Sequence, residues 1–230
     1  MELSSFLQAA REGNLNKVKE LHLKGEDIDQ VSKNGSSALI YASENGHLHV
    51  IKYLIENGAN PALQTKMGGT ALNRAAESGN MEIMKYLLEK GTPIGDLALV
   101  VAAREGHAEA VELLVNSGAN INAQQRWGQT ALMLAAREGH TSIVRFLLES
   151  GANVRLRDKN GDTALNIAID NDNPDIVMQL RRAGAKVQTR KKVTPVATDD
   201  EDDDDSSSVD ELISDDSDLP PDDVEIDEDI

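Results

Sequence analysis

Two interleaved series of glycines constrain this chain more than any other feature. Gly25, Gly58, Gly91, Gly118, Gly151 and Gly184 are separated by 33, 33, 27, 33 and 33 residues, and Gly13, Gly46, Gly79, Gly106, Gly139 and Asp172 repeat the same five intervals. Two ladders in step, sharing one shortfall of 6 residues in the same interval, mean that one structural unit is copied along the chain. Such a unit cannot bury its apolar face alone, so the copies must stack, each closing the core of the next. Aromatic residues make up only 3% of the chain, which leaves the packing to Ala and Leu.

The unit is clearest at Gly128-Gln129-Thr130-Ala131-Leu132-Met133-Leu134-Ala135-Ala136-Arg137-Glu138-Gly139-His140, followed by Ile143-Val144-Arg145-Phe146-Leu147-Leu148 and Gly151-Ala152-Asn153. Thr130 suits a helix N-cap, and Leu132, Ala135 and Ala136, spaced three and four apart, give a short helix one small-residue face. Gly139 breaks the chain. A second helix carries Ile143, Val144, Leu147 and Leu148, and Gly151 supplies the left-handed conformation that ends it. The unit reads as helix, turn, helix and extended loop.

This pattern resembles the ankyrin repeat, a unit of about 33 residues with a β-turn finger and two helices. The resemblance implies an all-α solenoid of helix-turn-helix units with β-turn fingers over residues 1–190. Its units fall near 2–33, 34–66, 67–94, 95–126, 127–159 and 160–188. The first unit begins directly at a helix with Leu3, Phe6, Leu7, Ala9 and Ala10, as a terminal cap should. In the last, Pro174 suits a first helical position, and Gln179, Arg181 and Arg182 are expected to face outward. Where the family favours Thr-Pro-Leu-His, this chain has Ser37-Ala38-Leu39-Ile40, Thr70-Ala71-Leu72-Asn73, Leu97-Ala98-Leu99-Val100, Thr130-Ala131-Leu132-Met133 and Thr163-Ala164-Leu165-Asn166. The inter-repeat hydrogen bonding usual in the family is therefore not expected. Between Gly91 and Leu99 the segment Thr92-Pro93-Ile94-Gly95-Asp96 replaces a full finger, so a notch is expected in the row, either a tolerated loop deletion or a shaped cleft.

Catalytic constellations are missing from the sequence. There is no phosphate-binding Gly-x-x-x-x-Gly-Lys-Ser/Thr, no Gly-x-Gly-x-x-Gly, no Gly-x-Ser-x-Gly and no His-Glu-x-x-His. The absence of cysteine excludes disulfides, thiol catalysis and Cys-containing zinc sites. His47, His107 and His140 follow turn glycines at equivalent positions, which reads as structural, and the pair His47 and His49 alone is too little for zinc. No enzyme activity, metal or cofactor is expected.

The resemblance implies that a protein partner binds the concave surface of finger tips and first helices. Trp127, the only tryptophan, stands at a finger position beside Arg126, with Arg104 and Arg137 on neighbouring first helices, and such aromatic and Arg groups anchor interfaces. The alternative is that Trp127 lies on the next finger and fills the notch. Met67 and Gln129 are further finger residues. Lys33, Lys66, Arg126 and Lys159 share one position in the four full fingers and form either a basic rail or an ordinary solvated edge.

Charge separates the chain into two parts. Residues 199–230 hold 18 acidic residues and no basic one, leaving 23 Lys and Arg against 22 Asp and Glu in the rest. A disordered acidic tail is expected over 191–230. It carries Thr198, Ser207 and Ser208 as candidate phosphorylation sites, each with an acidic residue three positions downstream. Its sign argues against direct nucleic-acid binding. No apolar run is long enough for a membrane span and the start, Met1-Glu2-Leu3-Ser4-Ser5, is unlike a signal peptide, so a cytoplasmic or nuclear monomer is expected. The leading functional expectation is a noncatalytic protein-binding adaptor, modulated by tail contact with the basic finger residues. The alternative is a tail that binds histones or other basic proteins, with the repeats as a targeting module.

Overall fold

The computed structural model describes residues 3–187. The acidic tail, its three candidate phosphorylation sites and its expected contact with the fingers lie outside the described residues. Within them the chain forms α1 (Ser5–Arg11), α2 (Leu15–Leu23), α3 (Ala38–Glu44), α4 (Leu48–Glu56), α5 (Ala71–Glu77), α6 (Met81–Glu89), α7 (Asp96–Glu105), α8 (Ala108–Asn116), α9 (Ala131–Glu138), α10 (Thr141–Glu149), α11 (Ala164–Asp170) and α12 (Pro174–Arg182). Odd-numbered helices pack on odd and even on even along the stack, and each odd helix packs on the even helix that follows it. The result is the expected all-helical solenoid of paired helices. None of these helices is long and apolar enough to cross a membrane.

Helices of 7 to 10 residues are marginal by themselves, so caps and packing must hold them. Odd helices start on a hydroxyl that accepts from the N–H three residues on: Ser4 from Leu7 at 3.3 Å, Ser37 from Ile40 at 3.3 Å, Thr70 from Asn73 at 3.2 Å, Thr130 from Met133 at 3.3 Å and Thr163 from Asn166 at 3.3 Å. The exception is α7, after the clipped finger, where Gly95 stands at the cap and offers no side-chain acceptor. Between odd helices the buried faces are small: Ala75 and Ala76, Ala102 and Ala103, Ala135 and Ala136 are fully covered. Larger side chains such as Ile51, Leu54, Met84, Leu87, Leu114 and Leu147 fill the space toward the even helices.

Turns inside the helix pairs carry side-chain hydrogen bonds between units. His47 Nε2 lies 3.0 Å from the Arg11 carbonyl, His49 Nε2 2.9 Å from the Gly13 carbonyl, His107 Nε2 3.0 Å from the Glu77 carbonyl and His140 Nε2 2.9 Å from the Arg104 carbonyl. A carbonyl only accepts, so each ring must carry its hydrogen on Nε2. Asn173 takes the same part with a carboxamide, donating to the Ala136 carbonyl at 2.9 Å. Bonds between units therefore exist, made by His47, His49, His107, His140 and Asn173 at or just after the turns and not by the residue the family usually employs.

These rings account for the second glycine ladder. A Cβ at Gly13 would stand 2.5 Å from the His47 ring, and one at Gly79 or Gly106 would stand 2.7 Å from His107 or His140. The same positions have φ of +72°, +66° and +82°, which already favours glycine. At Gly46 the neighbour is Asn80, 3.5 Å away, and only the backbone requirement remains. Asp172 occupies the last rung at φ 53°, and the pair formed by α11 and α12 ends the described stack, with no further ring to accommodate. At this end Arg181 and Arg182 are exposed as expected, but Gln179 is half-buried and its Oε1 has no hydrogen-bond partner among the described residues.

Candidate partner-binding surface

Each full finger is a tight turn closed twice. Thr65 N–H donates to the Gly69 carbonyl at 2.9 Å, and the Thr65 carbonyl accepts from Gly68 at 2.9 Å. In the same way Gln125 N–H donates to the Gln129 carbonyl at 3.0 Å, and the Gln125 carbonyl accepts from Gly128 at 2.7 Å. The turns at 32–36 and 158–162 follow the same scheme. Adjacent fingers are joined by one backbone bond in a fixed register. Lys66 N–H donates to the Asn34 carbonyl at 2.9 Å, and Lys159 N–H donates to the Trp127 carbonyl at 2.9 Å.

That row is interrupted where the short segment 92–96 stands in for a finger. The Met67 carbonyl and the Arg126 N–H, which face the gap by register, have no hydrogen-bond partner among the described residues. A Cβ at Gly35 or Gly128 would come within 3.1 Å of the neighbouring finger backbone, whereas one at Gly68 would meet only Leu97 Cδ1 at 3.6 Å. The expected notch is present as an open cavity of about 280 Å³.

Its walls are apolar and its floor is charged. Met67 is 73% exposed and Trp127 62% exposed, so Trp127 forms a wall of the gap and does not fill it. Leu97 and Val101 of α7 contribute apolar surface between them. On the floor, Arg74 Nη1 donates to Glu77 at 2.7 Å, Arg104 Nη2 donates to the other Glu77 oxygen at 3.0 Å, and Arg104 Nε donates to Glu105 at 2.6 Å. The hydrogen bond to Glu105, then the charges of Glu105 and Glu77, hold the Arg104 pKa above its ordinary value against some desolvation, and the guanidinium stays cationic. Asn73 is 5% exposed, and its Oδ1 and the Arg74 Nε are buried without partners among the described residues.

Of the residues selected from sequence, Met67, Arg104, Arg126 and Trp127 meet at this cavity. Lys159 reaches Trp127 as well, its Nζ 5.8 Å from the ring centroid, with the Arg126 guanidinium at 5.9 Å. Gln129 and Arg137 pair with each other: with its oxygen turned to the guanidinium, the Gln129 amide accepts at 3.1 and 2.6 Å. Lys66 is exposed on the finger beside Met67. Lys33 belongs elsewhere, beside a cavity of about 360 Å³ that it lines with Leu3, Leu7, Val31 and Tyr41. Asn73, Arg74, Glu77, Leu97 and Val101 were not selected from sequence. Among the described residues no group of three His, Cys, Asp or Glu side chains could hold a metal ion.

A family model described as ankyrin repeats in three copies matches residues 6–97 and 99–191, more than half of the chain. The chain belongs to the ankyrin repeat family. Among solved structures it is similar to the human ASB11 ankyrin repeat domain, at 30% identity and TM-score 0.72 over 83% of this chain and 88% of that one. It is also similar to an ankyrin repeat domain (ABAYE2397) from Acinetobacter baumannii AYE, at 30% identity and TM-score 0.68 over 79% and 98%. A third similar chain comes from the structure of the Bd0816 predatory endopeptidase from Bdellovibrio bacteriovorus in complex with immunity protein Bd3460, at 29% identity and TM-score 0.69 over 79% and 99%. A comparison with curated proteins found no match. Ankyrin repeats are in general protein-interaction modules.

Proposed function

We propose that this ankyrin repeat chain is a noncatalytic adaptor that takes a protein partner on its fingers and first helices, anchored at the notch. The observation that supports this most is the exposure of Met67 and Trp127 on the walls of one cavity whose floor holds Arg74 and Arg104 paired with Glu77. Large apolar side chains exposed beside guanidinium groups are what interfaces use as anchors, and burying them against a partner recovers hydrophobic free energy that folding has left unused. Gln129 and Arg137 extend the surface toward α9, and Lys66, Lys159 and Lys33 give it a cationic edge.

A photo-crosslinking amino acid at Trp127, compared with one at the exposed Glu112 of α8 on the second-helix side, tests this in cells that make the protein. Discrete adducts are expected from position 127 and none from 112. Adducts of equal yield from both positions would count against the surface. Adducts that vanish when residues 199–230 are deleted would favour the alternative in which the acidic segment captures basic proteins.

A further inference from the structure

We propose that the partner supplies the missing finger: an acidic turn segment that sits between residues 65–69 and 125–129 and completes the row by backbone pairing. This deepens the adaptor reading and rests on it. In the intact row each finger donates one N–H backward, as Lys66 does to Asn34 and Lys159 does to Trp127. The notch leaves an acceptor on one side, the Met67 carbonyl, and a donor on the other, the Arg126 N–H, neither partnered among the described residues. A single turn in the same register satisfies both with two consecutive residues, the first giving its N–H to Met67 and the second its carbonyl to Arg126. Main-chain addition of this kind supplies direction, and the side chains at the same two positions supply selectivity.

The register also states what those side chains are. The first residue falls in the series Lys33, Lys66, Arg126 and Lys159, between Lys66 and Arg126, so a carboxylate there meets cations on both sides. The second falls in the series Asn34, Met67, Trp127 and Asn160, between Met67 and Trp127, so it is apolar. The third falls in the series Gly35, Gly68, Gly128 and Gly161, all at positive φ, so it is glycine. The occupant is a partner loop carrying acidic, apolar and glycine residues in that order. A nucleic-acid strand would stack on Trp127 and meet the guanidinium groups, but its phosphates would also meet Glu77 on the floor.

Trp127 is the only tryptophan, so its fluorescence reports occupancy of the notch in the full-length protein. The probe is a head-to-tail cyclic decapeptide containing Thr-Glu-Leu-Gly-Gly-Thr. A saturable change in fluorescence is expected, weakened about tenfold or more by replacing the glutamate with lysine, the leucine with alanine, or the glutamate N–H with N–CH3. Met67→Ala should weaken it by a similar factor and Glu112→Gln, on the second-helix side, by less than twofold. Equal binding of the N-methylated or charge-reversed peptide would overturn the proposal, as would displacement by a ten-nucleotide single strand at the same concentration. No response at about 1 mM peptide would also overturn it. If position 127 still forms adducts in cells, the adaptor reading then stands without this register; if it does not, both fail.

Discussion

The two ends of the odd helices solve the same problem differently. At the turn end, side chains of His47, His107, His140 and Asn173 bind carbonyls of the preceding unit, and His107 does so at the clipped junction, where it reaches the Glu77 carbonyl. At the finger end each tie is one backbone bond, joined between the last two fingers by Gln124 Nε2 donating to the Arg157 carbonyl at 3.0 Å, and the row is open on both faces of the clipped segment. A finger can therefore be shortened without separating the helices beneath it. Helices α5 and α7 remain packed, and the Arg104 bridge to Glu77 spans them. The turn end holds the stack; the finger end is free to be shaped for binding.

The sharpest way to break this comparison is at the turn glycines. Gly79→Ala combines a left-handed backbone with a Cβ 2.7 Å from the His107 ring, and a loss of about 3 kcal/mol or more is expected in chemical denaturation. Gly46→Ala bears only the backbone cost, about 1 kcal/mol. Equal losses would show that the rings do not clamp the turns. His107→Ala is expected to cost about 1 to 2 kcal/mol, because the Glu77 carbonyl loses its donor and the ring its packing. Asp172→Gly should raise stability by about 0.5 to 1 kcal/mol, readable as a shift in the denaturation midpoint, since it relieves a positive φ at a side-chain-bearing residue. Trp127→Ala should change stability by less than about 0.5 kcal/mol, because the side chain is mostly exposed, while it removes the crosslinkable surface. A drop of several degrees in melting temperature would return Trp127 to a structural part.

The stack was legible in the sequence because a positive φ selects glycine position by position, and Gly13 through Gly139 display that selection at fixed intervals. The finger residues of the site were legible for a related reason: Met67, Arg126 and Trp127 lie at tips whose exposure follows from the turn alone. Asn73, Arg74 and Glu77 were not. They lie on α5, and only the packed geometry shows that they line the gap left by the clipped finger. The inter-unit bonds were not legible at the Thr-Ala-Leu-Asn positions, where the family pattern places them, although a signal existed one turn away. His47, His107 and His140 each follow a turn glycine, and each imidazole reaches back to a carbonyl one unit earlier.

Asp172 also bears on how such an array can lengthen. Tandem duplication adds a unit by copying an existing one, and the copied turn brings an imidazole or carboxamide that must nest against the glycine before it. Rungs 13, 79 and 106 accept that ring because they present only hydrogen, whereas rung 172 presents a Cβ and a carboxylate. A further His-bearing copy joined after the last helix pair would meet that side chain before it met any carbonyl. A His-bearing copy can enter by insertion within the array but not after Asp172 unless that residue is exchanged for glycine, whereas a copy with a carboxamide there, placed as Asn80 is 3.5 Å from a Cβ at Gly46, meets no such bar.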